Sequence, residues 1–227
     1  MRLGIITYDK PHLKTQELLY GLIAKGYKNI KLILTPFIKR KKRKVLINHR
    51  PKQFIGLNPK KLSKKFKLKI VKLSKKEILN CDYVLVAGSN LIDKKLIVKN
   101  KIINCHSGLI PESRGLDSLK WSIYNKKLIG NTLHFIDKNT DLGKIISHNL
   151  TPVNNNETIK NLSYKHYVNE IFMLINFELF LKNKKTIHLK KAKPTMRMPF
   201  LIEQILLNNY NNLRDSIIKK QLKLGQN

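Results

Sequence analysis

The amino-acid sequence predicts an α/β protein with an open, mainly parallel β-sheet and helices on both faces. The chain has 227 residues, 42% of them hydrophobic, which suffices for one sizeable core. It opens with a strand at Leu3–Thr7, a helix at Gln16–Lys25 and a strand at Ile30–Leu34. Short apolar runs and helical segments continue to alternate after this unit, which is the pattern of parallel strands joined by crossover helices.

Each later element follows from a local pattern. After Gly26 ends the first helix, the stretch Phe37–Lys69 has poor periodicity and contains Pro51 and Pro59, which predicts a long surface excursion. Further strands are predicted at Tyr83–Ala87, Lys101–Cys105, Thr132–Ile136 and Ile145–Leu150. Further helices are predicted near Leu62 and at Leu91–Val98, Ser118–Tyr124, Thr158–Leu181 (with Asn156 as N-cap) and Ile202–Leu222. We predict one main domain, 1–190, and a short helical C-terminal extension, 191–227.

The composition indicates a soluble protein of a reducing compartment. Cys81 and Cys105 lie in apolar, strand-like runs without metal-site spacing, so we expect buried thiols rather than a disulfide framework. No early apolar segment has the flanks of a signal peptide, and no run reaches the roughly 18 apolar residues that a membrane helix requires. These features predict a cytoplasmic protein with no membrane insertion.

The charge is strongly positive, with 46 Lys and Arg residues against 14 Asp and Glu and a formal net charge of +32. The basic segment between Lys39 and Lys76 holds 17 of these cations and no acidic residue. Such a field would attract anionic ligands, among them a polyglutamylated folate, a nucleotide-sugar pyrophosphate or a tRNA. An AT-rich genome would also write an excess of Lys, Ile and Asn at tolerant surface positions. Both interpretations stay open at this level.

Polar side chains follow the predicted strand Lys101–Cys105. Residues two apart on a strand point to the same side, so Asn104 and His106 should project together from its end. A turn-rich segment with Arg114 follows them, and a second polar turn with Asp141 comes after the next predicted strand. Open α/β sheets bind ligands at the carboxyl ends of their strands, so an amide, an imidazole and a carboxylate are expected to meet there.

The pattern Asn-x-His-x-Gly-x-x-Pro-x-x-Arg-Gly with a downstream Asp-x-Gly resembles the folate-dependent formyltransferase family, from about Leu85 to Val153. The resemblance implies a Rossmann-like formyltransferase fold, N10-formyltetrahydrofolate as formyl donor, an amine as acceptor, and no metal. Asn104 would donate a hydrogen bond to the developing oxyanion, and His106 would accept or relay the amine proton. Asp141 would either orient the imidazole or order a water that shuttles protons.

Binding roles are assigned on the same basis. The residues expected to contact folate are Val86, Ala87, Gly88, Ser89 and Asp137. In the basic segment, His49 and Arg50 are the candidates for a direct grip on an acceptor pyrophosphate, because a guanidinium binds such oxygens in a bidentate manner. Arg114 either binds an acceptor phosphate or braces its loop, and Trp121 either lines the acceptor site or packs in the core. His134 and His148 both fall in strand patterns, and we expect both to be structural.

The sequence also discriminates between branches of the family. The stretch Thr7–His12 lacks the glycine-rich phosphate cradle of the purine enzyme, and about 35 residues follow Lys193, too few for the barrel domain of methionyl-tRNA formyltransferases. What remains is the branch that formylates dTDP-linked amino sugars for surface polysaccharides such as the O-antigen of lipopolysaccharide. The resemblance to short bacterial members of this branch implies dTDP-4-amino-4,6-dideoxyglucose as the acceptor. The alternatives are a methionyl-tRNA or phosphoribosylglycinamide formyltransferase, or a basic nucleic-acid-binding protein on an inactive scaffold. The apolar helix from Ile202 predicts a homodimer contact; nucleic acid is not an expected partner.

Overall fold

The computed structural model of the protein describes residues 1–39, 43–137 and 143–225. The strands are β1 (Arg2–Tyr8), β2 (Asn29–Thr35), β3 (Lys69–Lys72), β4 (Tyr83–Val86), β5 (Ile102–His106), β6 (Gly130–Phe135) and β7 (Ile145–Leu150). The helices are α1 (Leu13–Ala24), α2 (Pro59–Phe66), α3 (Lys75–Leu79), α4 (Ser118–Tyr124), α5 (Ile159–Ile175), α6 (Phe177–Lys182), α7 (Phe200–Asn208) and α8 (Tyr210–Gly225). A single 3₁₀ turn covers Lys94–Leu96.

Within the described residues the strands form one sheet in the order β3-β2-β1-β4-β5-β6-β7. Strands β1 to β5 are parallel, whereas β6 and β7 run antiparallel at one edge. The predicted open, mainly parallel sheet is therefore confirmed. Alternation along β1 explains how both faces are covered, since Ile5 packs in the cluster that includes α1 and α5, while Ile6 packs in the cluster that includes α3.

The basic segment contains more regular structure than its sequence predicts. The helix expected near Leu62 is α2, and its N-cap is Asn58, whose side chain accepts a hydrogen bond from the backbone N–H of Lys61 at 2.9 Å. Strand β3 follows at the sheet edge, although the sequence assigned its surroundings to a surface excursion. Its sequence is Lys-Ile-Val-Lys, and its short length and exposed terminal lysines are typical of an edge strand that avoids pairing with other chains.

Two predicted long helices are each divided at an asparagine. One helix is expected over 158–181. In the structure α5 ends at Ile175, and α6 begins after Asn176. The expected N-cap, Asn156, is also wrong, because its φ of 58° is left-handed and it lies outside the helix. Thr158 is the N-cap instead, and its hydroxyl accepts from the backbone N–H of Asn161 at 3.2 Å.

The C-terminal segment behaves in the same way. The helix expected at Ile202–Leu222 is α7 followed by α8, with a break at Asn209, whose side chain donates to the carbonyl of Ile205 at 2.9 Å. Both helices pack against α4 in one apolar cluster. The helix expected at Leu91–Val98 is reduced to the 3₁₀ turn. No helix in the described part of the chain is both long enough and apolar enough to cross a membrane.

Both cysteines are buried within the sheet region, as the sequence predicts. Cys81 and Cys105 are 0% and 2% exposed, and both are free thiols. Burial raises the pKa of the Cys105 thiol far above its ordinary value. Neither thiol is therefore set up to react as a thiolate.

Candidate active site

A cleft of about 680 Å³ opens at the carboxyl ends of the central strands. This is where open α/β sheets place their ligand sites, and pockets for small ligands usually measure about 300–1,000 Å³. The loop after β4, the end of β5, the turn before α4 and the segment 194–197 all contribute to its walls. The predicted pair Asn104 and His106 lies in this cleft, within the last three residues of β5.

A second histidine holds the side chain of Asn104. Its Nδ2 lies 3.2 Å from Nε2 of His134, and Nδ1 of the same ring lies 3.1 Å from the carbonyl oxygen of Phe135. Because a carbonyl only accepts, the network assigns the ring proton of His134 to Nδ1, and Asn104 donates to Nε2. This leaves the second N–H of Nδ2 without a partner among the described residues. His134 thus sets the orientation of a cleft residue, and it lines the cleft itself.

His106 is fixed by the loop that follows it. Its Nε2 lies 3.0 Å from the carbonyl oxygen of Ser113 and 3.1 Å from Oγ of Ser118. The carbonyl can only accept, so Nε2 carries a proton, and a proton that the ring takes up has to enter at Nδ1. Gly108 allows this loop to close, because a Cβ at that position would lie 2.4 Å from the same Ser113 carbonyl.

The residues expected to contact folate all line the cleft. Val86 belongs to a buried apolar cluster with Ile92, and Ile97 and Ile136 pack against that cluster. At the edge of this apolar wall, the hydroxyl of Tyr8 donates to the carbonyl of the loop residue after Gly88 at 2.7 Å. Asp137 lines the cleft at the end of the described segment. The third predicted catalytic residue, Asp141, lies outside the described residues, so its role stays a prediction.

A second group of cleft residues is rich in charge. His49 Nδ1 lies 4.0 Å from a carboxylate oxygen of Asp117, and Arg197 Nη1 lies 3.7 Å from the same oxygen. Burial and the nearby Arg50 charge lower the pKa of His49 to about 3, so this imidazole is neutral at pH 7. Asp117 also accepts a hydrogen bond from the backbone N–H of Met198 at 3.0 Å, which fixes the segment that carries Arg197.

The cleft lining also includes a buried ionic cluster that the sequence analysis did not identify. Glu170 on α5 forms two ion pairs. Its Oε1 lies 2.5 Å from Nζ of Lys14, and its Oε2 lies 2.8 Å from Nη2 of Arg50. The side chains of Lys14 and Glu170 are 4% and 1% exposed. Burial alone would raise the pKa of Glu170, but the two cations outweigh it and hold the pKa at about 2. The sequence signal that could have indicated this cluster is Glu170, a charged residue on the buried face of α5.

Arg114 and Trp121 act behind the cleft rather than in its lining, as far as the described residues show. The carbonyl of Arg114 accepts from both the backbone N–H and the hydroxyl of Thr195, each at 2.9 Å. Trp121 Nε1 donates to the carbonyl of Met196 at 2.7 Å, and its ring packs against an apolar cluster. Of the alternatives that the sequence left open for Trp121, core packing is what the structure describes. The contacts given for Arg114 are made by its backbone, so the role of its side chain stays a prediction. His148 is also structural, since its Nε2 lies 2.8 Å from the carbonyl of Ile110.

Most of the basic segment lies away from the cleft. Of its described residues, His49 and Arg50 are the two that line the cavity. Nine exposed lysines lie on α2, β3, α3 and their connections, at Lys60, Lys61, Lys64, Lys65, Lys67, Lys69, Lys72, Lys75 and Lys76. One group of exposed lysines therefore lies at a sheet edge, and the cleft itself is of mixed charge.

The fold and the cleft together define an α/β protein whose strand-end site pairs an amide donor with an imidazole, an arrangement suited to acyl-group transfer. The family model described as "Formyl transferase" matches residues 16–176, more than half of the sequence. The chain belongs to the formyl transferase family.

Curated relatives match over shorter stretches. The trifunctional purine biosynthetic protein adenosine-3 of Chironomus tentans is 33% identical over 95 residues, which is 40% of this chain and 7% of that protein. Three methionyl-tRNA formyltransferases match over 29–47% of their own lengths. The chain thus spans less than half the length of each of these relatives.

Solved structures share the fold over most of the chain. A sugar N-formyltransferase from a Shewanella species superposes with a TM-score of 0.58 at 19% identity, covering 91% of this chain and 87% of that one. An N-formyltransferase from Helicobacter canadensis, in complex with folinic acid and dTDP-3-aminofucose, superposes with a TM-score of 0.57 at 17% identity, covering 81% of this chain and 65% of that one. At these identities the likeness shows the fold.

Proposed function

We propose that the protein is a sugar N-formyltransferase, which moves a formyl group from N10-formyltetrahydrofolate to the amine of a dTDP-linked amino-dideoxy sugar. The observation that carries this proposal is the pairing of Asn104 with His106 in one cleft at the strand ends. Formyl transfer to an amine needs a hydrogen-bond donor for the developing oxyanion and a group that takes the excess proton. Membership of the formyl transferase family supports the same reaction class.

The roles of the two side chains follow from their hydrogen bonds. When the amine nitrogen bonds to the formyl carbon, the carbonyl electron pair moves to oxygen, and the second N–H of Asn104 is available to donate to that oxygen. His106 accepts a proton from the nitrogen at Nδ1, since Nε2 is already protonated. The carbon–N10 bond then breaks, and N10 of the departing tetrahydrofolate takes up the proton. Asp141 is proposed to orient the imidazole or to order a proton-carrying water.

The donor would lie against the apolar wall. Val86 and Ala87 are buried at the end of β4, and the apolar cluster that contains Val86 extends to Ile92. A flat heteroaromatic ring such as a pterin fits an apolar wall bordered by backbone polar groups and a carboxylate, here the loop up to Ser89 and Asp137. These residues supply binding and orientation, while the reactive formyl group belongs to the folate.

The acceptor would lie against the charged wall. Arg50 is held by Glu170 through one Nη atom, and its Nε is buried without a protein partner in the described part of the chain. A guanidinium oriented in this way can present its remaining N–H groups to phosphate oxygens. Neutral His49 and the nearby Arg197 add further donors for a nucleotide diphosphate. A neighbour of the same fold that binds dTDP-3-aminofucose supports this class of acceptor.

We further propose a cytoplasmic homodimer that supplies formylated sugars for surface polysaccharides such as the O-antigen of lipopolysaccharide. Leu201 and Ile205 on α7 are 69% and 45% exposed, and they support a dimer contact on the C-terminal helices.

The first test is the acceptor itself. Purified protein, N10-formyltetrahydrofolate and either dTDP-4-amino-4,6-dideoxyglucose or its 3-amino isomer are incubated, and the products are analysed by mass spectrometry. We expect one added formyl group on the 4-amino sugar, because attack requires the amine within about 3–3.5 Å of the carbon and a shift by one ring carbon exceeds that tolerance. Formylation of the 3-amino isomer alone would refute the choice of regioisomer. Formylation of neither would refute the sugar acceptor.

Methionyl-tRNA is the second candidate acceptor, and the nine exposed lysines at the sheet edge favour it specifically. Binding of tRNA by such a surface would be tight at low salt and weaken steeply as salt rises, because each phosphate contact releases counterions. A titration with tRNA at several salt concentrations, together with a formylation assay on methionyl-tRNA, separates this candidate from the sugar. Salt-dependent binding without formylation of any amine would instead point to a nucleic-acid-binding protein on an inactive scaffold.

Arg50 provides a test of the acceptor wall. Arg50→Lys retains a charge near Glu170 but loses the planar fork, so we expect the acceptor KM to rise about tenfold, since a hydrogen bond to a charged group contributes roughly 1.5–3 kcal/mol. Turnover and the folate KM should change little, and Arg2→Ala, at the far end of β1, should leave both KM values unaltered. An acceptor KM equal to that of the wild type in Arg50→Lys and Arg50→Ala would show that this arginine does not hold the acceptor.

A further inference from the structure

Ser107 directly follows His106, and its hydroxyl connects the cleft to a buried histidine on α5. Ser107 lines the cleft, and its Oγ lies 2.9 Å from Nε2 of His166. His166 is 1% exposed. Which of the two atoms carries the hydrogen decides what Ser107 offers to a ligand, because a hydroxyl that donates to a ring nitrogen keeps its oxygen lone pairs for the cleft.

The surrounding amides favour one direction of this bond. Nδ2 of Asn169 donates to the backbone carbonyl of Asn149 at 3.1 Å and to Oδ1 of Asn131 at 2.9 Å. Asn131 therefore turns its own Nδ2 toward Nε2 of His166, at 3.4 Å. An amide N–H only donates, so Nε2 of His166 is an acceptor. The ring proton belongs to Nδ1, which lies 2.9 Å from Oγ1 of Thr151.

His166 also remains neutral under ordinary conditions. Burial lowers its pKa to about 4, so at pH 7 the ring carries a single proton, on Nδ1. Ser107 consequently donates its hydroxyl hydrogen to Nε2. In the described structure the lone pairs of its oxygen have no protein donor, and they belong to a residue of the cleft wall.

We propose that Ser107 is a further residue of the amine site, whose Oγ accepts one N–H of the acceptor amine and so directs the nitrogen lone pair toward the formyl carbon. This inference rests on the proposed formyl transfer. A primary amine has two N–H groups, of which one loses its proton to His106 and the other is available to Ser107. An oxygen that only accepts can bind an N–H of the amine in either protonation state, so the benefit of this contact lies in orienting the nitrogen.

The test compares Ser107→Ala with the wild type in the formyl-transfer assay. We expect the acceptor KM to rise and turnover to fall, with a combined loss in kcat/KM of about tenfold and an unchanged folate KM, as for one hydrogen bond to the reacting group. The ratio of the kcat/KM values for the two amino-sugar isomers should fall, whereas loss of a serine with a purely structural role would leave this ratio unchanged. Ser63→Ala, which removes a hydroxyl bonded to the Leu68 carbonyl far from the cleft, is the matched control.

A second measurement needs no acceptor. In ¹⁵N-histidine NMR spectra of the wild-type protein at pH 7, His166 should appear as the Nδ1–H tautomer, and a ring protonated at Nε2 would overturn the inference. Acceptor kinetics of Ser107→Ala within about twofold of an active wild type would overturn it while leaving the proposed function intact. A wild type that formylates no amine would refute the proposed function and this inference with it.

Discussion

Replacing His106 with alanine is expected to leave a folded protein whose turnover falls by roughly 10²- to 10⁴-fold, the range for loss of a general base. His106→Gln should be about as inactive, because its amide can still donate to the Ser113 carbonyl but cannot take a proton at neutral pH. Comparing the two variants separates proton transfer from loop support. The measurement is the rate of formyl transfer from N10-formyltetrahydrofolate at saturating acceptor, with thermal unfolding as a check on the fold.

His188→Ala is the control for the loss of an imidazole, since His188 is exposed and is absent from the described lining of the cleft. Its turnover should equal that of the wild type. If His106→Ala retained turnover within about threefold of the wild type, proton acceptance by this residue would be excluded, because the expected loss is at least tenfold larger.

The second large effect is on stability. Glu170→Gln is expected to lower the free energy of unfolding by about 3–5 kcal/mol, because it leaves the buried ammonium of Lys14 and the guanidinium of Arg50 without a countercharge. Urea unfolding followed by circular dichroism measures the loss. Asp82→Asn is the matched control, because it breaks the exposed ion pair between Asp82 and Arg2. The side chain of Asp82 is 39% exposed and that of Arg2 is 60% exposed, so the loss in unfolding free energy should be no more than about 1 kcal/mol. Equal losses in the two variants would contradict the buried-cluster argument.

The same cluster predicts a pH dependence. The folded-state pKa of Glu170 is held at about 2, below its ordinary 4.5, so its carboxylate stabilises the folded protein fully above the ordinary value. That contribution is lost as the pH falls from 4.5 through about 2, and a shift of this size corresponds to roughly 3 kcal/mol. Unfolding free energies measured over this interval should therefore decline more steeply in the wild type than in Glu170→Gln. Parallel pH profiles would show that Glu170 is not the responsible group.

Local patterns predicted most of the elements correctly. The helix α4 and the strand β7 have the bounds that their sequences predict, because apolar spacing and turn residues mark both ends. Strand β3 was missed, since its four residues begin and end with lysine and lie inside a basic run. The breaks at Asn176 and Asn209 were missed for a different reason: apolar spacing continues across each of them, and packing of the flanking helices decides where the chain turns.

The sequence by itself determined the pair Asn104 and His106, because residues two apart on a strand share a side whatever the rest of the chain does. Only the tertiary structure decided which other groups share the cleft with that pair. His166 reaches Ser107 from 59 residues away, and Glu170 reaches Lys14 from 156 residues away. Such partners meet through the packing of α1, α5 and β5 on one another, and no short-range periodicity encodes that packing. A buried charge requires a countercharge nearby, and only the tertiary fold specifies which residue supplies it.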